Sequence, residues 1–232
     1  MWFYTVMIII AACCLWIVLS VFFYRQFFKR FYDVFLSGMA LIVLSPIMLV
    51  LTIIGAFAMK GNPFFLQERP GKNEKVFKLV KFRTMTNEKD KDGNLLPNEQ
   101  RVVKYGLFLR KISLDELPEL INIFKGDMSI VGPRPLLVQY LPYYTDEEKH
   151  RHDVRPGLSG LAQVEGRNNL SWEATFQYDL QYVREYSFKL DIKIVLKTIL
   201  KIFSSGGMTE ADGILDDDGR THDPLDVERA KK

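Results

Sequence analysis

Two adjacent acids, Asp115 and Glu116, lie in the stretch LRKISLDELPELINIFKGDMSIVGPRP (residues 109–135), and bases gather around them along the chain. Lys81 and Arg83 precede the pair, Arg110 and Lys111 adjoin it, Arg134 follows between two prolines, and Arg155 and Arg167 sit in a glycine-rich run. Guanidinium forks match phosphate oxygens, and glycine lets backbone approach a ligand closely, so this set can hold a polyanion. The acids admit two readings. Ser113-Leu-Asp-Glu116 fits the S-x-x-E capping box, in which Glu116 is helix-start punctuation. Pro118 fits that register poorly and prefers the first position of a helix beginning later. The acids would then stand just ahead of a helix N-terminus, where the dipole keeps carboxylates ionised and attracts phosphate. Neighbouring helical residues diverge by about 100°, so two functional carboxylates here would have different tasks.

Something must hold this pair against its bases, and the chain begins with membrane-like segments. Trp2 to Tyr24 is an almost unbroken apolar run. It is about 33 Å long as a helix, enough for a bilayer core of roughly 30 Å. A cleaved signal peptide is a poor match, because the bases Arg25, Lys29 and Arg30 follow the run instead of preceding it. Those bases place residue 25 onward in the cytoplasm. The second run, Val34 to Met59, is basic on both flanks, so a simple crossing violates the same rule. Its centre, LIVLSPIMLV, contains Ser45-Pro46. Proline removes a backbone donor, serine can satisfy a freed group, and each arm is about 18 Å, too short to span. A re-entrant helix-break-helix resolves the charge conflict; a proline-kinked span is the alternative.

Of the 232 residues, 48% are hydrophobic, but they crowd into these first sixty, leaving a soluble body large enough to bury a core. The two cysteines, Cys13 and Cys14, are adjacent in the first apolar run, which excludes a disulfide framework and suits a reducing compartment. The net charge of +3 conceals an acidic end: from Gly206 onward eight acids face four bases, giving −4 there and +7 elsewhere. A basic body beside apolar segments suits anionic headgroups or phosphorylated substrates. No recognition helix, zinc finger or RNA-binding motif supports a nucleic-acid partner. Walker, dinucleotide-binding and nucleophile-elbow motifs are missing, and His150 and His152 lack further ligands for a metal site.

Within the body, KVFKLVKFRTM alternates like a half-buried strand, with Phe77, Leu79 and Phe82 inward and Lys78, Lys81 and Arg83 outward. Asp92-Gly93-Asn94 marks a turn, VVKYGLFLRKI a helix, and MSIVGPRP a short extended piece. VRPGLSGLAQVEGRN reads as loop with at most short strands. Residues 171–203 read as two amphipathic helices, the second either a core helix with a solvated lysine stripe or a helix lying at the headgroup surface. The acidic end after Gly206 has the composition of a mobile tail.

KFRTM, RKISLDELPELINIFKGDMSIVGPRPL, RPGLSGLAQVEGRN and YDLQYVREYSFKLDIKIVLKTI occur here in one order, and in that order the chain strongly resembles the bacterial sugar transferases, small monotopic phosphoglycosyl transferases. The resemblance runs from about Phe27 to Phe203. It implies an α+β, mainly helical protein with a re-entrant helix broken at Ser45-Pro46 (25–60) and a compact cytosolic catalytic domain with membrane-surface helices (61–205); the apolar segment (1–24) and the acidic tail (206–232) lie outside the family core. It implies transfer of a sugar-1-phosphate from a UDP-sugar to polyprenyl phosphate at the cytoplasmic face of the bacterial membrane, with release of UMP. Asp115 would be the nucleophile and Glu116 the partner of Mg²⁺. Lys81, Arg83, Arg110, Arg134, Arg155 and Arg167 would bind substrate. The expected partners are these two substrates and phospholipid, with downstream glycosyltransferases also compatible. Neither the sugar, the glycan nor the oligomeric state is set by the sequence.

Overall fold

The computed structural model describes residues 2–166, 170–204 and 225–230. Helix α1 (Trp2–Phe22) presents its apolar side chains outward on every face until its last turn, where buried Ser20 meets the Tyr32 hydroxyl at 2.8 Å. A π-helical turn (Tyr24–Phe28) leads into α2 (Lys29–Ala58). By length and composition both helices could cross a membrane.

The interruption expected at Ser45-Pro46 is absent from the hydrogen-bonded helix, which continues through Pro46. The reason is local. Proline has no N–H for the carbonyl four residues back, that of Ile42, and the Ser45 hydroxyl donates to that same oxygen at 2.7 Å. One face of α2 stays exposed, including Ile42, Val43 and Phe57. The opposite face packs on the body along both halves of the helix. Ala40, Leu41 and Leu44 meet Leu79, Leu120, Ile123 and Met128, while Met48 and Leu51 join Phe82 and Leu109.

The body opens with an antiparallel hairpin, β1 (Phe64–Pro70) and β2 (Val76–Phe82), in the register Phe64 opposite Phe82. Helices α3 (Asn98–Arg101), α4 (Lys104–Lys111) and α5 (Glu119–Lys125) follow. Helix α5 lies on the open edge of β2. There the buried Asn122 side chain accepts from Val80 N at 3.0 Å and donates to Lys78 O at 2.8 Å, so a side-chain amide completes the strand's hydrogen bonding. Arg30 of α2 donates to the carbonyls of Ile123 and Phe124, closing the C-terminus of α5.

A short parallel pair, β3 (Ser129–Val131) and β4 (Gly157–Ser159), brings the two Pro/Gly-rich loops together. A Cβ on Gly132 would lie 2.3 Å from the Arg155 carbonyl, so only glycine allows this approach. The segment expected to be loop with at most short strands contains the short strand β4 and, beyond that expectation, α6 (Leu161–Glu165). The two amphipathic helices are present as α7 (Trp172–Glu185), capped by Ser171, and α8 (Phe188–Ser204). The mobility expected beyond Gly206 falls mostly outside the described residues, but residues 225–230 are helical. Helix α9 (Leu225–Ala230) buries Leu225 among Tyr140, Trp172 and Phe176, and Arg229 pairs with Glu148 at 2.6 Å.

Asn122→Leu keeps the volume but leaves two backbone groups of β2 unpaired, each worth about 1–3 kcal/mol when buried. The denaturation midpoint of the detergent-solubilised protein should fall accordingly; an unchanged midpoint would show that α5 does not depend on this amide.

Candidate active site

Period two along β2 puts Lys81 on the face of Phe77 and Leu79, not opposite them. The outward orientation expected for Lys81 is thus corrected. Its side chain is only 16% exposed and meets the start of α5. The acids reach it through a 3-10 turn, Leu114–Glu116, entered through Ser113 in the left-handed region at φ 55°. Ser113 caps nothing through its side chain, so the capping box does not form. Pro118 sits immediately before the first residue of α5, close to the register proline favours. Leu114 and Leu117, either side of the two acids, pack against the cluster of Leu51, Phe82 and Leu109. The dyad turn is therefore mounted directly on membrane-type helix α2.

Glu116 Oε1 accepts from Lys81 Nζ at 3.0 Å and from Arg134 Nη2 at 3.2 Å. Lys81 Nζ is shared with a further carboxylate, Glu119 Oε1, at 3.1 Å. The sequence reading missed Glu119. Its signal was the spacing Glu116-x-x-Glu119, which puts both residues on one side of the helix start. Burial pushes all three carboxyls up, and their neighbours then separate them. The Lys81 and Arg134 charges hold Glu116 down at about 2, keeping it ionised. Glu119, desolvated and beside the Glu116 charge, rises to about 7 despite Lys81. Asp115 is raised by desolvation and by Glu116, with Lys81 and Arg110 opposing. Three acids with three environments can do three different things.

Arg110 reaches this group from α4. Its Nε donates to the buried Thr84 hydroxyl at 2.9 Å, and its charge acts on Asp115. Gly106 makes this possible: a Cβ there would lie 1.9 Å from the Thr84 carbonyl, so α4 can come this close only with glycine. Arg83 is half-buried and makes no side-chain hydrogen bond or ion pair among the described residues. Arg134 is steadied from behind, because Arg151 donates to its carbonyl at 2.7 Å and forms a fully buried pair with Asp179. Sequence reasoning missed this pair, since nothing local links residues 28 positions apart. Arg155 lies elsewhere, donating to Gly126 O at the far end of α5. Arg167 lies outside the described residues. The two histidines also separate: His150 contacts Asp153 at the surface, while His152 is buried against Tyr144 and held neutral, near 3, by burial and Arg151.

For a divalent cation the donors are hard oxygens. Among the described residues, neither Glu116 Oε2 nor the Asp115 carboxylate has a hydrogen-bond partner on another residue. No cage of three acidic, His or Cys side chains assembles there among the described residues. One or two carboxylates completed by substrate phosphates and water is how Mg²⁺ is usually held, so this donor set fits it.

On a body packed against an apolar helix, the site thus gathers buried cations around three inequivalent carboxyls. The chain belongs to the bacterial sugar transferase family, whose sequence profile matches residues 24–205. It is 46% identical over 187 residues to the uncharacterized sugar transferase EpsL of Bacillus subtilis (strain 168), covering 80% of this chain and 92% of that protein. It is 38% identical to the exopolysaccharide production protein ExoY of Rhizobium meliloti (strain 1021), over 77% of this chain and 87% of that one. The UDP-glucose:undecaprenyl-phosphate glucose-1-phosphate transferase of Klebsiella pneumoniae is 41% identical over 76% of this chain, which spans 40% of that longer protein.

The raised Glu119 carboxyl makes a signed prediction. An acid whose folded pKa rises from 4.5 to about 7 loses stability as pH climbs through that window. Glu119→Gln should therefore melt at a higher temperature than the parent at pH 8 and at the same temperature at pH 4. A gain that does not depend on pH would refute the assigned environment.

Proposed function

We propose that this chain transfers a sugar-1-phosphate from a UDP-sugar to polyprenyl phosphate, releasing UMP, as a membrane step that starts glycan assembly. The observation that carries this reading is the placement of Asp115 and Glu116 against Lys81 and Arg134 on a turn that packs on α2. A polyprenyl tail stays in the bilayer and presents its phosphate at the headgroup plane, so a site seated on a membrane helix meets it there. The family membership and the Klebsiella relative's name point to the same chemistry.

In this reaction an Asp115 oxygen attacks the sugar-bearing phosphorus. The phosphorus–oxygen bond to UMP breaks, and its electron pair leaves with UMP as added negative charge. Lys81 and Arg134, aimed at the dyad, stabilise that charge, and unpaired Arg83 is the further candidate. Arg110 opposes the upward drift of Asp115 and so favours its ionised, attacking form. A polyprenyl phosphate oxygen then attacks the same phosphorus, and the bond to Asp115 breaks to restore the carboxylate. Mg²⁺, held through Glu116, would neutralise the diphosphate and ease the departure of UMP.

Both ends of α2 belong on the cytoplasmic side in this reading, with the hydrogen-bonded helix bending at Pro46 as it dips into the bilayer and returns. Its packing on the body along both halves supports this, because a straight crossing would drag the charged site into lipid. The flanking bases support it too, since Arg25, Lys29 and Arg30 all bond the body. Exposed Ile192, Leu196, Ile199 and Leu200 give α8 an apolar stripe suited to the headgroup boundary.

Three measurements test this. A UMP-release assay across a panel of UDP-sugars should find a donor, with activity abolished by EDTA. Asp115→Asn should lower kcat by about 10⁴-fold or more and trap no radiolabelled phospho-sugar on the chain; normal turnover would sink the covalent route. With Cys13 and Cys14 replaced, single cysteines at Gln26 and Gly61 should be labelled from one side of the membrane. Labelling from opposite sides would establish a span.

A further inference from the structure

Glu119 has no part in the mechanism above, yet its side chain is 4% exposed and lies 3.1 Å from the Lys81 ammonium. Lys81 thus has two acceptors, Glu116 on the dyad turn and Glu119 on α5. The two acceptors are not equivalent. Glu116 already receives Arg134 and, under the transferase reading on which this inference rests, would share its charge with the metal it holds, which weakens its hold on Lys81. Were it the sole acceptor, Lys81 would lose its hydrogen-bond partner at the moment its charge is needed. A buried ammonium without a partner gives up its proton or swings toward solvent. Glu119 is held in place independently of Glu116. One turn along α5, the Asn122 side chain is bonded to the backbone of both Lys78 and Val80, just before Lys81 in the strand, so α5 and β2 are locked together.

We propose that Glu119 is a positioning residue that holds the Lys81 ammonium at the phosphate site throughout turnover, including when the charge of Glu116 would be drawn to a metal. The hydrogen bond is what matters for this task, so a neutral acceptor of the same length can perform it. The charged groups facing Glu119 are Lys81 from β2, Glu116 from the turn, and Arg134 from the loop after β3.

The test uses the full chain in nanodiscs, with Glu119→Ala and Glu119→Gln. Lys81 reactivity is read by competitive acetylation and mass spectrometry, with and without Mg²⁺ and UMP, alongside UMP-release kinetics. In Glu119→Ala, kcat/KM for the UDP-sugar should fall about 10- to 100-fold, the usual effect of removing an orienting partner. Lys81 should be acetylated at least about fivefold faster than in the parent when Mg²⁺ and UMP are present, and at the parental rate without them, because Glu116 then still holds it. Glu119→Gln should restore both readouts to within about threefold. Parental acetylation of Glu119→Ala with Mg²⁺ and UMP, or a Gln variant as impaired as the Ala variant, overturns the inference. Absence of UMP release by the parent with every donor would overturn the transferase reading instead, and the acetylation pattern would still report on Lys81.

Discussion

A lysine ammonium out of water must be held by acceptors, and Lys81 has two, of which Glu116 carries the charge. Its two carboxylates come from a 3-10 turn and from the helix after it, and it stands on a strand that neither of them hydrogen-bonds. The arrangement survives only if strand, turn and helix keep their relative positions closely. Much of the surrounding architecture serves that requirement. Asn122 joins α5 to β2, Arg30 closes α5 from the membrane helix, and Leu114 and Leu117 wedge the turn between α2, β2 and α4. Arg134, the second cation, is fixed by the buried Arg151–Asp179 pair. Breaking a buried pair costs far more than the pair itself contributes, so such a brace resists partial loosening.

The same logic joins the membrane segments to the body. Asp191 of α8 accepts from the Tyr24 hydroxyl at 2.6 Å, from Tyr182 at 2.9 Å and from Lys29 at 2.6 Å. Asp33 of α2 accepts from the backbone N–H of Ile130 in β3 at 3.0 Å. Bases that look like topology signals in the sequence therefore have structural partners as well. They tie the first turns of α2 to the body, and the depth of the helix in a bilayer then sets the height of the site.

Several features were legible from local pattern. The strand before Arg83, the helix before the dyad, the short extended piece at Ser129 and the helices after Ser171 follow from period two, period 3.6 and turn residues, and each is present. Other features were not. Ser45-Pro46 looked like a break because proline's missing donor is a local fact, while the Ser45 hydroxyl that fills the Ile42 carbonyl depends on its rotamer. Helix α6 hid in a glycine-rich run because its stability comes from packing on α7 and not from propensity. Glu119 and Asp179 looked like ordinary helix acids. What sets them apart is burial against Lys81 and Arg151, bases that arrive from distant parts of the chain.

By itself the sequence determined the inventory: two long apolar helices, a mixed helical body, a pair of acids and the bases able to balance them. These depend on residue types and short-range spacing, which a linear chain carries in full. The tertiary structure decided which of the bases meet the acids. It brought Lys81 and Arg134 to Glu116, left Arg155 at the other end of α5, added Glu119, and made three chemically similar carboxyls unequal. That inequality has no local cause. Burial and the nearest opposite charge set how readily each acid ionises, and both exist only once the chain has folded.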